Sequence, residues 1–400
     1  MKRIVFIMSD TGGGHRSSAE AIREAILEKH DAQFELVDLF KNYSPYPLNQ
    51  MPAWYSAMTA KGPNRMSYGM GFKLSNTDNR ARAYSRLMYL TMENRLRQML
   101  REHPADIYVS VHSVLTRITG HALSAQATRP PFVVVVTDLV STHMFWYDRR
   151  ADFTMVPTTI AYERGLRAGI APEKLRFTGQ PINPRFMRNL PERHAARQTL
   201  GWDPDKPTIL IVGGGEGMGP LYETARAING RRLDCQIAVV TGRNAALKAQ
   251  LDASEWNQPT YIYGFVNDMP RLMAASDMVA TKAGPSTICE AAIAGVPIIL
   301  YDFILGQEDG NVTYVEDNHA GVFAPESGQL AETVESWLAN DRKLLNEYAA
   351  GARAIARPNA VFEIADEIWA QAQRPPVVNR RSSLFHPNLI RERLRSYDWL

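Results

Sequence analysis

Gly284-Pro285-Ser286-Thr287 stands between two apolar runs, and no other turn in this 400-residue chain is better equipped for chemistry. Small polar residues ahead of a helical pattern mark a helix start, and their spacing predicts that Ser286 and Thr287 cap it. The unpaired N–H groups of a helix start favour an anion, and a diphosphate is the natural occupant. Glu290 falls one turn further in, where a carboxylate could reach a pair of ribose hydroxyls. Gly295 is placed to end the helix, and Val296–Leu300 reads as a buried strand. The polar loop Gly306-Gln307-Glu308-Asp309-Gly310-Asn311 follows at that strand's carboxyl end, where open α/β sheets bind ligands. Together these residues predict a nucleotide-sugar site.

The same grammar recurs twice. The apolar run 208–212 leads into a loop containing Gly213, Gly214, Gly215, Gly217 and Gly219, with a helix expected from near Leu221. Such a loop lets backbone amides approach phosphate, although by itself it equally fits a tight turn. Near the N-terminus, the strand-like run Arg3–Met8 is followed by Gly13, Gly14 and His15 and then by helical spacing. A histidine at a strand–turn–helix junction has an ordinary pKa near 6.5 and suits general-base work. Asp138, at the end of the run 131–137, competes for that role, and its plainer reading is a carboxylate that orients a histidine. His143 follows Asp138 in the same segment and is an acceptor-side candidate, and His112, at another strand end, could line the acceptor cleft or be packed. Asp203 and Asp205 have the spacing of a metal-binding pair but fall in a turn, and no Asp-x-Asp pair accompanies the donor motifs.

The elements that must position these residues alternate. Strands are expected at 34–37, 106–111, 131–137, 153–156 and 175–178, and again at 208–212, 236–241, 260–263, 278–281 and 297–301. Alternation with helices implies parallel sheets covered on both faces. The Pro-rich segment near 180–190 divides the chain into a domain of residues 1–185, a second of residues 186–372 and a tail of residues 373–400. The first βα turn lacks Gly-x-Gly-x-x-Gly spacing and no acidic ribose partner follows, which argues against a dehydrogenase. A hydrophobic share of 45% supports sizeable cores, and a net charge of +3 does not call for nucleic acid as a partner. Cys235 and Cys289 read as buried thiols in a reducing compartment. Ile4–Met8 is too short for a secretory signal, and no apolar run approaches the ~20 residues that span a bilayer.

Ser9-Asp-Thr-Gly-Gly-Gly-His15 with its helix, Gly284-Pro-Ser-Thr-Ile-Cys-Glu290, and Gly306-Gln-Glu-Asp-Gly-Asn311 occur in an order that resembles the monogalactosyldiacylglycerol synthases and the processive diacylglycerol glucosyltransferases of glycosyltransferase family 28. The resemblance runs from residue 1 to about 372. It implies a GT-B fold of two Rossmann-like domains, and an inverting transfer from a UDP-hexose, galactose favoured, to the free hydroxyl of diacylglycerol. It implies no bound catalytic metal or cofactor. By the same resemblance, Gly213–Gly219 and Gly284–Thr287 would contact diphosphate, Glu290 the ribose, and Gly264, Phe265 and Val266 the uridine. Gln307, Glu308 and Asn311 would complete the donor site, with Gln307 and Glu308 holding sugar hydroxyls.

Residues 42–97 crowd Trp54 and other aromatic and Met side chains beside Lys61, Arg65, Lys73, Arg80, Arg82 and Arg86, opposed mainly by Asp78 and Glu93. Apolar bulk next to cationic charge suits docking on an anionic membrane surface, and packing of an insertion on the domain is the plainer reading. The expectation is a peripheral enzyme at the cytoplasmic face of a membrane. The basic, apolar tail 373–400 could be a second anchor, an internal contact or an oligomer contact. Three rivals stay open: a glucosyl or processive transferase, a nucleotide-sugar epimerase of GT-B shape, and a non-catalytic nucleotide-binding module. The Met- and Arg-rich insertion disfavours the epimerase, and the joint presence of His15 with Gln307 and Glu308 disfavours the binding module.

Overall fold

Each short apolar run of the first half becomes a strand of one parallel sheet. In the computed structural model, which describes residues 1–11, 13–59, 63–188 and 190–379, β1 (Lys2–Met8) leads into α1 (Gly14–Leu27) and then β2 (Ala32–Asp38). The chain next passes through α2 (Met51–Thr59), α3 (Pro63–Ser75) and the long α4 (Asp78–Glu102). Then come β3 (Ile107–Ser110), β4 (Phe132–Val135), β5 (Phe153–Val156) and β6 (Leu175–Phe177), and the sheet order is β2-β1-β3-β4-β5-β6. β3, β4 and β5 are buried at every residue, as parallel strands covered on both faces must be. β1 pairs with β2 from Lys2↔Ala32 to Met8↔Asp38, and with β3 from Ile4↔Ile107 to Ile7↔Ser110. The chain therefore leaves β1 on one side and returns on the other, which opens a crevice at the carboxyl ends of β1 and β3.

The second sheet repeats the plan. β7 (Thr208–Val212), α5 (Leu221–Gly230), β8 (Gln236–Val240), β9 (Thr260–Tyr263), β10 (Met278–Lys282), α6 (Pro285–Ala294), β11 (Ile298–Asp302) and β12 (Gly321–Phe323) build the order β9-β8-β7-β10-β11-β12. Its reversal lies between β7 and β10, so the loops after those strands share one crevice. Two such domains form the GT-B architecture. β12 is absent from the sequence reading because three residues carry no usable periodicity. Gly321 there passes so close to the Ile298 carbonyl that any Cβ would overlap it.

The last helix departs from the expected 186–372 unit. α7 (Ala360–Ala372) crosses back and lays Val361, Ile364, Ala365, Ile368 and Ala372 against Ala19, Ile22, Ala25 and Ile26 beside the first sheet. Ile364 and Ile368 are fully buried, and each contributes about 1.5–3 kcal/mol by leaving water. Val377–Val378 then pairs antiparallel with Thr128–Arg129. The rest of the tail reading, from Arg380 onward, and Lys61 lie outside the described residues.

Residues 42–97 are not one loose insertion. α4 buries Met92, Leu96 and Met99 in the core of the first sheet. α2 and α3 instead reach over to the second domain. Arg65 pairs with Asp302 at 2.7 Å, and Lys73 lies 3.6 Å from Asp309. Met66, Met70 and Leu74, spaced by four on α3, remain exposed. Among the described residues no helix is long and apolar enough to cross a membrane.

Candidate active site

The two crevices open into a cleft of about 450 Å³, lined by loops from both domains. On the second domain's side, α6 begins one residue ahead of the capping pair. Gly284 is the N-cap in extended conformation, Pro285 opens the helix, and no side chain caps it. Ser286 and Thr287 therefore do not cap, because they already lie inside the first turn. Their hydroxyls and unpaired N–H groups are left to the cleft, which Gly284, Pro285, Ser286 and Thr287 all line. Proline suits the opening position, where its missing N–H would have had no partner. Gly295 closes α6 at φ +69°, a conformation that glycine adopts without strain.

Lys282 is a residue the sequence reading did not select. It ends β10, and its ammonium sits 2.7 Å from the Glu308 carboxylate. Its stem passes 3.9 Å from where a Cβ on Gly214 would lie, and its ammonium 3.2 Å from the same point on Gly284. A cation thus stands between the two glycine turns. A lysine at a strand's carboxyl end, two residues before the turn, was the signal available. Glu308 is buried, and its second oxygen accepts from the Ile304 N–H at 2.8 Å. Both of its oxygens are engaged, so it holds Lys282 and the loop besides lining the cleft.

Other donor candidates separate by position. Gly213, Gly214 and Gly215 line the cleft. Gly217 and Gly219 do not. They sit at φ +63° and +103°, packed against Thr241 and Tyr301, and shape the turn. Phe265 and Val266 line the cleft, with the Arg243 guanidinium 4.7 Å above the Phe265 ring, while Gly264 stays outside it. Arg243 also pairs with Glu216 at 2.7 Å and is a second residue the sequence reading passed over. Glu290 lines the cleft one turn into α6. Burial lifts its carboxyl to about 7, and among the described residues nothing hydrogen-bonds to it. Asn311 leaves the candidate site. It is fully buried, accepts from the Val140 N–H at 3.2 Å and donates to the Ala283 carbonyl at 2.8 Å, so it pins the two domains together.

On the first domain's side, Gly13, Gly14, His15, Thr137 and Asp138 face these groups. α1 starts at Gly14, so His15 belongs to its first turn and not to the loop before it. His15 Nδ1 lies 3.1 Å from Thr137 Oγ1, which in turn donates to the Val111 carbonyl at 3.4 Å. That chain makes Nδ1 the protonated nitrogen and Nε2 the basic one, with no hydrogen-bond partner among the described residues. Burial lowers His15 to about 4, so the ring is neutral at pH 7. His112, at the end of β3, lies beneath it with ring centroids 4.5 Å apart, and its Nε2 meets Thr11 Oγ1 at 2.8 Å. His112 supports His15 and does not line the cleft. Asp138 is buried and raised to about 6 by that burial. Its oxygens accept from Trp146 Nε1 at 2.6 Å and Gln307 Nε2 at 3.1 Å.

His143 falls outside the cleft. Its Nδ1 accepts from the Phe145 N–H at 3.1 Å, its Nε2 meets Ser75 Oγ at 3.1 Å, and Phe72 and Phe145 enclose the ring. It is a structural cap. Trp54, Arg80 and Arg82 are also away from the cleft. Trp54 is exposed, Arg80 donates to the Leu74 carbonyl, and Arg82 pairs with Asp78. Asp203 accepts from the Asp205 N–H at 3.0 Å, a turn closed by a side chain.

Residues 15–182 match the family model described as monogalactosyldiacylglycerol (MGDG) synthase, and residues 208–362 match the glycosyltransferase family 28 C-terminal domain. The protein named probable monogalactosyldiacylglycerol synthase 2, chloroplastic, of Oryza sativa subsp. japonica is 40% identical, over 95% of this chain and 82% of its own. The monogalactosyldiacylglycerol synthase, chloroplastic, of Spinacia oleracea is 36% identical, over 92% of this chain and 72% of its own. Among solved structures, MurG of Acinetobacter baumannii matches with a TM-score of 0.60 at 17% identity, over 92% of this chain and 100% of that one, a likeness of fold. Matched in both domains and aligned with these relatives over most of its length, the chain belongs to the monogalactosyldiacylglycerol synthase family of GT-B glycosyltransferases.

Proposed function

We propose that this enzyme transfers galactose from UDP-galactose to the free hydroxyl of 1,2-diacylglycerol with inversion at the anomeric carbon. The observation that carries the reading is the facing of His15 and Asp138 toward Lys282 and the start of α6 across one cleft. Diphosphate would sit on the Ser286 and Thr287 amides, between the glycine loops and beside Lys282. Glu290 would meet the ribose, Arg243 and Phe265 would border the base, and Gln307 would meet the sugar. The acceptor oxygen forms its bond to the anomeric carbon and gives its proton to His15 Nε2. The bond from that carbon to the β-phosphate oxygen breaks, and its electron pair leaves with UDP. Preorganised amides and the Lys282 ammonium stabilise the charge that develops there. Asp138, with both oxygens engaged by Trp146 and Gln307, fits the orienting role better than the base.

The acceptor is a lipid, and the outer surface of α3 and α4 suits a bilayer. Met66, Met70 and Leu74, with Tyr84, Leu87 and Leu90, are exposed near Arg80, Arg82 and Arg86. Apolar side chains would enter the interface while the arginines meet anionic headgroups. Free thiols at Cys235 and Cys289 suit the cytoplasmic face. The test is to incubate the protein with diacylglycerol vesicles and, in turn, UDP-galactose, UDP-glucose and UDP-N-acetylglucosamine, then determine the lipid product by NMR. β-Galactosyldiacylglycerol from UDP-galactose is expected. An α-linked product, or an altered nucleotide sugar with no lipid product, would overturn the reading.

A further inference from the structure

Gln307 is gripped from three sides by groups remote in sequence. Its Oε1 accepts from the Tyr55 hydroxyl at 3.1 Å and the Tyr68 hydroxyl at 2.8 Å, and its Nε2 donates to Asp138 at 3.1 Å. A carboxylate only accepts, so the amide nitrogen must face Asp138. The two phenols then fill both lone pairs of the amide oxygen. Burial drives both phenol pKa values upward, so both stay protonated and donating. Among the described residues, the one side-chain hydrogen-bonding group of Gln307 left over is its second N–H. We propose that Tyr55 and Tyr68 are positioning residues that fix this orientation, so that the bound hexose meets Gln307 as a hydrogen-bond donor and never as an acceptor. The proposal rests on the reading that Gln307 contacts the donor sugar.

The helices that deliver the phenols are built for the task. Arg65, Tyr68, Gly69 and Phe72 share one face of α3, at spacings of three and four. Arg65 pairs with Asp302, Gly69 lies against the Leu305 side chain, and Phe72 packs on Gly306. Gly306 holds φ +87°, and a Cβ there would stand 3.1 Å from Phe72, so any larger residue would strain the loop where it lies on the helix. The Tyr55 ring meets Tyr68 edge-on, with centroids 6.0 Å apart. The first domain thus clamps the loop of the second that carries Gln307. Without the phenols the amide can turn over and offer its oxygen, which changes the sugar hydroxyl pattern it recognises.

The experiment compares Tyr55→Phe, Tyr68→Phe, the double variant and Gln307→Ala in the full chain. Steady-state transfer is measured with UDP-galactose and UDP-glucose, UDP affinity by calorimetry, and folding by thermal melting. The double variant should lose roughly 10-fold in kcat/KM for UDP-galactose, as expected for two neutral hydrogen bonds. Its preference for UDP-galactose over UDP-glucose should narrow, while UDP affinity and melting stay at the parent's values. If Gln307→Ala is impaired but the double variant keeps parental kinetics and preference, the positioning role is refuted and the sugar-site reading survives. If Gln307→Ala itself behaves as the parent, the sugar-site reading fails and the proposal with it. A parallel loss of UDP affinity or of melting temperature in the double variant would show a general structural role and overturn the proposal.

Discussion

Replacing Lys282 with Met separates two consequences of one ammonium group. Its partner Glu308 is 3% exposed, and Lys282 itself 22%. Stranding a fully buried carboxylate costs about 3–5 kcal/mol. Here the Ile304 N–H still serves one oxygen of Glu308, and the partial exposure of Lys282 lets water approach the other, so about 1–3 kcal/mol is the expected loss. At ~2–4 °C per kcal/mol for a domain of this size, melting should fall by roughly 2–12 °C. Catalysis should suffer separately. Loss of a preorganised charge at the leaving group costs about 10²–10³-fold in kcat. The informative control is Lys282→Met with Glu308→Gln, which removes both charges and should recover most of the melting temperature but not kcat. Glu308→Gln alone supplies the baseline for any contribution of that side chain to sugar binding. Turnover by Lys282→Met within about threefold of the parent, well short of a typical electrostatic contribution, would refute the catalytic role and leave Lys282 a counter-ion.

His15→Ala should lower kcat by about 10²-fold or more while UDP affinity stays constant; near-parental turnover would move the base to Asp138. His15 is held near 4 and Asp138 near 6 by burial, and both must be deprotonated to act. Activity should therefore fall as pH drops through about 6, when protonation of Asp138 weakens the hydrogen bond it accepts from Gln307, and fall again toward about 4; a flat profile between pH 5 and 7 would contradict the orienting role of Asp138. Glu290→Ala should weaken UDP binding by roughly 1–3 kcal/mol in calorimetry, whereas Gln307→Ala should spare UDP and weaken the intact UDP-sugar. On anionic vesicles, Arg80→Glu with Arg82→Glu should abolish the salt-sensitive part of binding, and Met66→Ser with Met70→Ser the salt-resistant part; parental sedimentation of both variants would exclude this face as the docking surface.

Much of the cleft lining was legible in the chain because it is made of local signals. A strand, a glycine turn and a helix start are contiguous residues, and their backbone N–H groups point where the turn sends them. This is why Gly213–Gly215, Gly284–Thr287, Glu290 and His15 all reach the cleft. The same locality produced the errors. Gly217, Gly219 and Gly264 belong to the right segments, yet whether a residue faces the cleft or the turn depends on φ angles and neighbours that spacing does not encode. Asn311 and His143 carry groups suited to ligands, but packing assigns them to the domain interface and to a cap.

Apolar periodicity and turn chemistry act over a few residues, so the two α/β halves, the glycine turns and most strand positions can be read directly from the chain. Tertiary structure alone decided the rest. It folded α7 back onto the first sheet, brought Lys282 beneath both glycine loops and set Tyr55 against Gln307 across 252 residues. Such partnerships arise only when elements remote in sequence fold against one another. Burial then creates what no isolated segment possesses: a neutral His15 and a raised Asp138.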